Sequence, residues 1–260
     1  MISLVKNELV KIYAKSGYIL AGLVIAVGAV MAPISKAVFE VNDGASYLYN
    51  LGGNLGLVNL FTIFIASTIL NAELSKGTVK FLLLSPYNRT QIILSKIVAM
   101  ILNSMMLSVL LLVTTVVASI VFFNQTDLFA QVQTLGGTSA VISAIVFMFA
   151  NVSLTLFYIM MMLALSVLFK SQVVSSTIGF TLFFSGVVIN IFVEVLFENF
   201  HHILQWSPFN VVNFRDKLIG VEVAMEVGSL SAMQMGLALS VYTAILFLFV
   251  VLIFNRLDID

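Results

Sequence analysis

The chain contains few charged residues and no cysteine. Of its 260 residues, 9% are charged and 61% are hydrophobic, whereas a soluble domain carries about 25% charged residues. So few polar side chains cannot cover this much apolar surface in water. The lack of cysteine excludes disulfides, thiolate metal sites and cysteine nucleophiles. The composition therefore predicts an integral membrane protein.

Uncharged apolar runs divide the chain into predicted membrane spans. A helical span needs roughly 20 apolar residues to cross a hydrocarbon core about 30 Å thick. Six runs qualify: Gly17 to Ser35, Leu51 to Leu70, Ile97 to Phe123, Ala140 to Phe169, Val173 to Val193, and Met235 to Phe254. Barrel strands would alternate apolar and polar residues, which these runs do not. We expect an all-α fold with six transmembrane helices, forming a single domain over residues 1–260.

The predicted spans also lack ionisable side chains, because none of the six contains Asp, Glu, Lys, Arg or His. Transporters driven by ion gradients usually place such groups at membrane depth, so that mechanism is disfavoured, although sodium sites built from backbone and hydroxyl oxygens stay open. The two histidines are adjacent and fit neither H-E-x-x-H nor a Ser-His pair. We therefore do not expect an enzyme.

Lys and Arg residues predict the orientation, because they concentrate in cytoplasmic loops. With the N-terminus inside, nine of the 12 cations lie on the cytoplasmic side, and only Lys36, Arg215 and Lys217 lie outside. We expect a multi-pass protein of the cell membrane with both termini in the cytoplasm. No nucleic-acid partner is predicted.

Residues 1–16 form a separate predicted element. Ile2, Val5, Leu9 and Ile12 recur at helical spacing, which is typical of a helix lying flat in the membrane interface. The charged residues, including Glu8 and Lys11, are assigned to the remaining polar surface.

The cytoplasmic segment of residues 71–96 combines four cations with an apolar core from Val79 to Leu84. Gly77 and Thr78 can end one helical turn and begin the next, and Pro86 can stop it. Two interpretations remain open at this point. A short helix here could dock into a groove on a soluble partner, or the segment could be a basic loop held against anionic lipid headgroups.

The same segment resembles a known family. Glu73, Gly77, Thr78, Leu82, Leu83, Ser85, Pro86, Arg89 and Lys96 fit the pattern E-x3-G-T-x3-L-L-x-S-P-x2-R-x6-K, which is similar to that of type-2 ABC transporter permeases, in particular those of bacitracin and lantibiotic resistance exporters. The resemblance implies a coupling helix whose matching residues (Glu73, Gly77, Thr78, Leu82, Leu83, Pro86, Arg89 and Lys96) contact a separate ATPase. It also implies a second permease copy or a related permease as partner.

ATP and magnesium would then be bound by the partner ATPase. This chain has no G-x4-G-K-[ST] loop to hold the phosphates, so no cofactor is expected on it.

The segment of residues 194–234 is predicted to lie on the outer side. Glu194, Glu198 and His202 share one helix face at i, i+4 and i+8. We interpret them as part of an acidic, aromatic belt rather than a metal site. A third interpretation is that the carboxylates attract a cationic peptide.

Polar residues within the spans suggest a substrate path, for which we name Asn103, Asn151 and Asn190, with Glu194 and Glu198 beside them. Residues of this kind also hold neighbouring helices together.

The sequence thus predicts the permease subunit of an ATP-driven exporter for a hydrophobic or amphipathic substrate, such as an antimicrobial peptide. Lipid-linked intermediates, other drugs and sodium ions stay open as substrates. The alternatives are a channel or membrane scaffold without an ATPase, and an intramembrane enzyme.

Overall fold

The regular elements of the described chain are helices. The structure is a computed structural model that describes residues 1–39, 41, 43–49, 51–74, 87–123, 127, 129, 139–196, 200–218 and 228–256. The helices are α1 (Ile2–Ile12), α2 (Tyr18–Val38), α3 (Gly44–Tyr49), α4 (Leu51–Leu74), α5 (Arg89–Phe122), α6 (Ala140–Phe169), α7 (Gln172–Leu196), α8 (His201–Leu204), α9 (Pro208–Val211), α10 (Phe214–Leu218) and α11 (Ala232–Asn255).

Five helical stretches in the described ranges are long and apolar enough to cross a membrane: Ile2–Val38, Asn54–Glu73, Arg89–Phe122, Ala140–Phe169 and Ala232–Asn255. They overlap five of the six predicted spans, with ends that differ by a few residues, so the prediction of a multi-pass helical membrane protein is confirmed. The remaining predicted span, Val173 to Val193, lies within α7, a helix of 25 residues.

The N-terminal segment is continuous with the first predicted span. A π-helical turn over Tyr13–Gly17 joins α1 to α2 without a break. Ile12 is buried in the main hydrophobic core, and Val5 and Leu9 pack against it. The assignment of Glu8 to the polar surface is wrong, because Glu8 is buried on the same side of α1 as Ile12.

Helices α4 and α6 form the centre of the bundle. They pack against each other, and α6 also packs against α5, α7 and α11. Polar pairs cross between α4 and α6: Asn71 Nδ2 donates to Ser166 Oγ at 3.0 Å. Helices in a membrane are held together by close packing and by such hydrogen bonds, because moving apolar groups from lipid into the protein gives little stabilisation.

A glycine allows α2 and α5 to approach closely. A β carbon at Gly28 would overlap the side chain of Thr114 on α5. The carbonyl of Gly28 also accepts a hydrogen bond from the Tyr47 hydroxyl at 3.1 Å. Burial raises the pKa of Tyr47 to about 12, so this hydroxyl remains a donor at neutral pH.

The short helices α8 to α10 fold onto one end of the bundle, and we call residues 200–218 the cap. Short helices leave backbone carbonyl groups without intrahelical partners, and such groups are costly to bury in a membrane protein. Two bundle helices supply donors to them. Asn190 Nδ2 of α7 donates to the carbonyl of Phe209 at 3.2 Å, and the Tyr242 hydroxyl of α11 donates to that of Trp206 at 2.6 Å.

Candidate functional site

Four charged side chains from three helices meet at the end of the bundle opposite the cap. Lys96 Nζ of α5 lies 2.7 Å from Glu73 Oε2 of α4 and 3.1 Å from Glu8 Oε2 of α1. Lys11 Nζ of α1 lies 2.7 Å from Glu8 Oε1 and 3.0 Å from Glu73 Oε1. Each carboxylate therefore bridges both ammonium groups. We call these four residues the ion network.

The ion network is largely buried. The side chain of Lys96 is 1% exposed, that of Glu8 is 4% exposed and that of Glu73 is 11% exposed, whereas that of Lys11 is 51% exposed. Burying an ion costs several kcal/mol unless it is paired with good geometry. Two positive and two negative groups balance here, and this balance permits the burial. Lys11 marks the side on which the network opens to the surface.

Arg89 joins a fourth helix to the same end of the bundle. Its Nη1 donates to the carbonyls of Asn255 at 2.8 Å and Phe254 at 3.3 Å, in the last turn of α11. A cation at this position stabilises the negative end of a helix dipole. Helix α5 begins at Arg89 because Asn88 and Gln91 form a capping box, in which the Gln91 side chain accepts the Asn88 N–H at 3.2 Å.

These contacts hold both ends of the predicted coupling segment. Glu73 lies in the last turn of α4, and Arg89 and Lys96 lie in the first two turns of α5. The other residues that the motif named lie outside the described residues: Gly77, Thr78, Leu82, Leu83, Ser85 and Pro86. That they contact an ATPase stays a prediction.

Sequence reasoning missed two members of the ion network, Glu8 and Lys11. A signal for them exists, because Glu8 is the one acidic residue among the first 39 and stands three positions before Lys11. An isolated carboxylate on the apolar side of an amphipathic helix indicates a buried partner.

A second polar cluster lies between α4 and α6. Asn59 and Asn151 exchange a reciprocal pair of amide hydrogen bonds at 3.0 and 3.1 Å. Thr155 Oγ1 donates to Asn59 Oδ1 at 3.0 Å. Arg215 Nη1 of the cap donates to Asn151 Oδ1 at 3.4 Å, and its guanidinium carbon lies 5.9 Å from the centre of the Phe147 ring.

The burial of Arg215 was not predicted from the sequence. The sequence placed it among the outer cations and found no ionisable residue within the six spans; the structure buries its side chain beside Asn151. At about 1.5 Å per residue, Asn151 lies roughly 16 Å from the first residue of α6. The predicted spans contain no charged residue at the depth of Asn151, and the charge of Arg215 is contributed by the cap. The argument against ion coupling from uncharged spans is weaker for this reason.

The other residues predicted to line the substrate path lie on α5, on α7 or outside the described residues. Asn103 is buried within α5, and its Oδ1 has no hydrogen-bond partner among the residues that the structure describes. Asn190 binds the cap, as described above. Glu194 belongs to α7, and Glu198 lies outside the described residues. Among the side chains of this set that the structure describes, only Asn151 joins a polar cluster, and its role in substrate passage stays a prediction.

Two comparisons with known proteins give matches. The model of a family described as a protein of unknown function, DUF2705, matches residues 19–259. The uncharacterized protein YhcI of Bacillus subtilis (strain 168) is 33% identical over 79 residues, which are 30% of this chain and 25% of YhcI. The matched part of the chain thus spans a quarter of that relative's length.

Proposed function

The chain belongs to DUF2705, a family of proteins of unknown function, and we propose that it is the permease subunit of an ATP-driven exporter. In this proposal the chain crosses the membrane six times, with α7 as the sixth span. A separate ATPase binds at the segment of residues 71–96, and a second permease copy or a related permease completes the transporter. The substrate is hydrophobic or amphipathic, such as an antimicrobial peptide.

The observation that carries the proposal is the anchoring of this segment at both ends. Glu73 and Lys96 bind each other across α4 and α5, and both bind residues of α1. Arg89 binds the end of α11. A force applied to residues 71–96 therefore reaches four helices through contacts of charged groups. A coupling element needs such a connection to convert closure of the partner ATPase into a rearrangement of the helix bundle.

The topology also supports the proposal. Helix α7 has 25 residues, so it is about 38 Å long and exceeds the hydrocarbon thickness of about 30 Å. Six crossings place Glu8, Glu73, Arg89 and Asn255 on one side of the membrane. With the N-terminus inside, that side is the cytoplasm, where an ATPase would dock. Helix α1 then lies at the cytoplasmic interface.

The proposal can be tested by copurification. The tagged full chain is extracted from native membranes in mild detergents, and copurifying proteins and ATP hydrolysis are measured. We expect an ABC-type ATPase with the wild-type chain. Leu82→Glu and Leu83→Glu should remove the ATPase without lowering the thermal transition of the permease, because these residues belong to the predicted docking surface and not to the ion network.

Arg89→Glu and Glu73→Lys should also remove the ATPase, although they act in part by disturbing the anchors. Lys6→Glu serves as their control, since it reverses a charge at an exposed position of α1 that is not part of the ion network. A chain that purifies alone in every mild detergent, and whose transport is unaffected by Leu82→Glu, would favour a channel or scaffold instead.

A further inference from the structure

A cavity of about 280 Å³ lies between three long helices and the cap. Its walls are Phe157 and Tyr158 of α6, Gly186 of α7, Phe209 of α9 and Ile245 of α11, among others. Helices α7 and α11 both pack against α6 and α9. The cavity occupies the space that these four elements enclose.

The cavity lies deep in the bundle and opens to its side. Gly186 and Tyr242, which both line it, are each roughly 15 Å from the cap-side ends of their helices at about 1.5 Å per residue. Phe157 and Tyr158 on the inner wall are 7% and 8% exposed, whereas Ile245 is 56% exposed. The exposed residue therefore marks the mouth, and the two aromatic residues mark the floor.

The chemistry of the walls excludes most occupants. Apart from the hydroxyls of Tyr158 and Tyr242, the lining side chains are apolar, and the Tyr242 hydroxyl donates to the Trp206 carbonyl. A lining of this kind suits a hydrocarbon better than water, because a water molecule needs two to four polar partners. The volume is roughly twice that of an apolar cavity of about 150 Å³ that holds benzene, so it suits a segment of a hydrocarbon chain.

We propose that this cavity binds one acyl chain of a membrane lipid. The mouth at Ile245 is near the middle of α11, where a bilayer around this helix would present acyl chains, and the lining of the cavity is almost entirely apolar. Binding rests on van der Waals contact with rigid aromatic walls, because transfer from lipid to protein adds no hydrophobic gain. This site does not depend on the transport proposal, since lipid reaches it from the bilayer.

The test uses the full chain in bilayers that contain phosphatidylcholine with a photoactivatable diazirine in the middle of one acyl chain. After irradiation, labelled residues are identified by mass spectrometry. We expect label on Phe157 and Tyr158, which a lipid at the bundle surface cannot reach. Label on Ile245 without label on Phe157 or Tyr158 would overturn the proposal.

Two variants close the cavity in different ways. Gly186→Leu fills it from within, since a β carbon there lies 3.9 Å from Phe209 Cδ1 and meets no other atom. Ile245→Trp blocks the mouth at an exposed position that tolerates a larger side chain. Both should reduce the label on Phe157 and Tyr158 to that of an unirradiated sample.

Gly22→Leu is the matched control, because a β carbon at Gly22 meets nothing within 4 Å and the residue lies on α2, away from the cavity. This variant should keep the label. Should Gly186→Leu fail to fold, Ile245→Trp gives the same answer. Unchanged labelling in Ile245→Trp would overturn the proposal, and so would a peptide that copurifies with the chain and excludes the label from Phe157.

Discussion

Lys96 of α5 and Glu73 of α4 form an ion pair with Nζ and Oε2 2.7 Å apart, and this pair joins the two helices on either side of the predicted coupling segment. Glu8 binds the same ammonium group from α1. Moving any one of these helices away from the others would separate buried charges. Separation of such a pair is expensive, so α1, α4 and α5 should move as one unit at this end of the bundle.

Lys96→Met tests how much the buried cation stabilises the bundle. The change leaves the carboxylates of Glu8 and Glu73 close together without their shared buried partner. We expect a loss of about 3–5 kcal/mol, typical for the removal of one member of a buried pair, seen as a lower Tm of the detergent-purified chain. Lys6→Met is the control, because Lys6 is exposed on α1. Equal Tm values for the two variants would contradict a structural role of the ion network.

Glu8→Gln and Glu73→Gln test whether the two carboxylates act together. Each contacts both Lys11 and Lys96, so removing one changes the surroundings of the other. The double variant should depart from the sum of the single effects by about 0.5–3 kcal/mol, measured by unfolding of the three variants. Asp43→Asn combined with Glu8→Gln should be additive, since Asp43 lies beyond α2, before α3. Additivity for Glu8 and Glu73 would mean that they are independent.

The apolar runs predicted the long helices well, but not where the helices end. Helix α5 begins at Arg89 rather than at Ile97, because Asn88 caps it there and the cations of its first two turns, Arg89 and Lys96, bind groups of other helices. A rule that ends a span at the first charge cannot foresee partners such as Glu8, which is 88 positions from Lys96. The burial of Arg215 could not be predicted from the sequence either, since it results from the folding of the cap against α6.

Asn151 and Asn103 are two buried asparagines with different surroundings, which allows a direct comparison. Asn151 binds Asn59 and Arg215, whereas Asn103 Oδ1 has no partner within the described residues. Asn151→Leu should cost about 1–3 kcal/mol, because it leaves buried polar groups unpaired. Asn103→Leu should be neutral or raise the Tm, because it removes a polar atom whose burial is uncompensated. The reverse order of the two Tm values would contradict the hydrogen bonds that the structure assigns to Asn151.

Gly28 and Gly22 both lie on α2, but a side chain added at the two positions would meet different surroundings. A β carbon at Gly28 would overlap Thr114 of α5, whereas one at Gly22 meets nothing within 4 Å. Gly28→Val should therefore force α2 and α5 apart, at a cost of about 1–3 kcal/mol for overpacking, and should weaken the Tyr47 hydrogen bond to the carbonyl of residue 28. Gly22→Val should leave the Tm nearly unchanged, because it adds the same side chain where space is open. Thermal unfolding of both variants checks this, and Thr114→Ala added to Gly28→Val should recover part of the loss, because it removes the overlapping hydroxyl. A Gly28→Val chain as stable as Gly22→Val would show that α2 and α5 are not packed as closely as the structure has them.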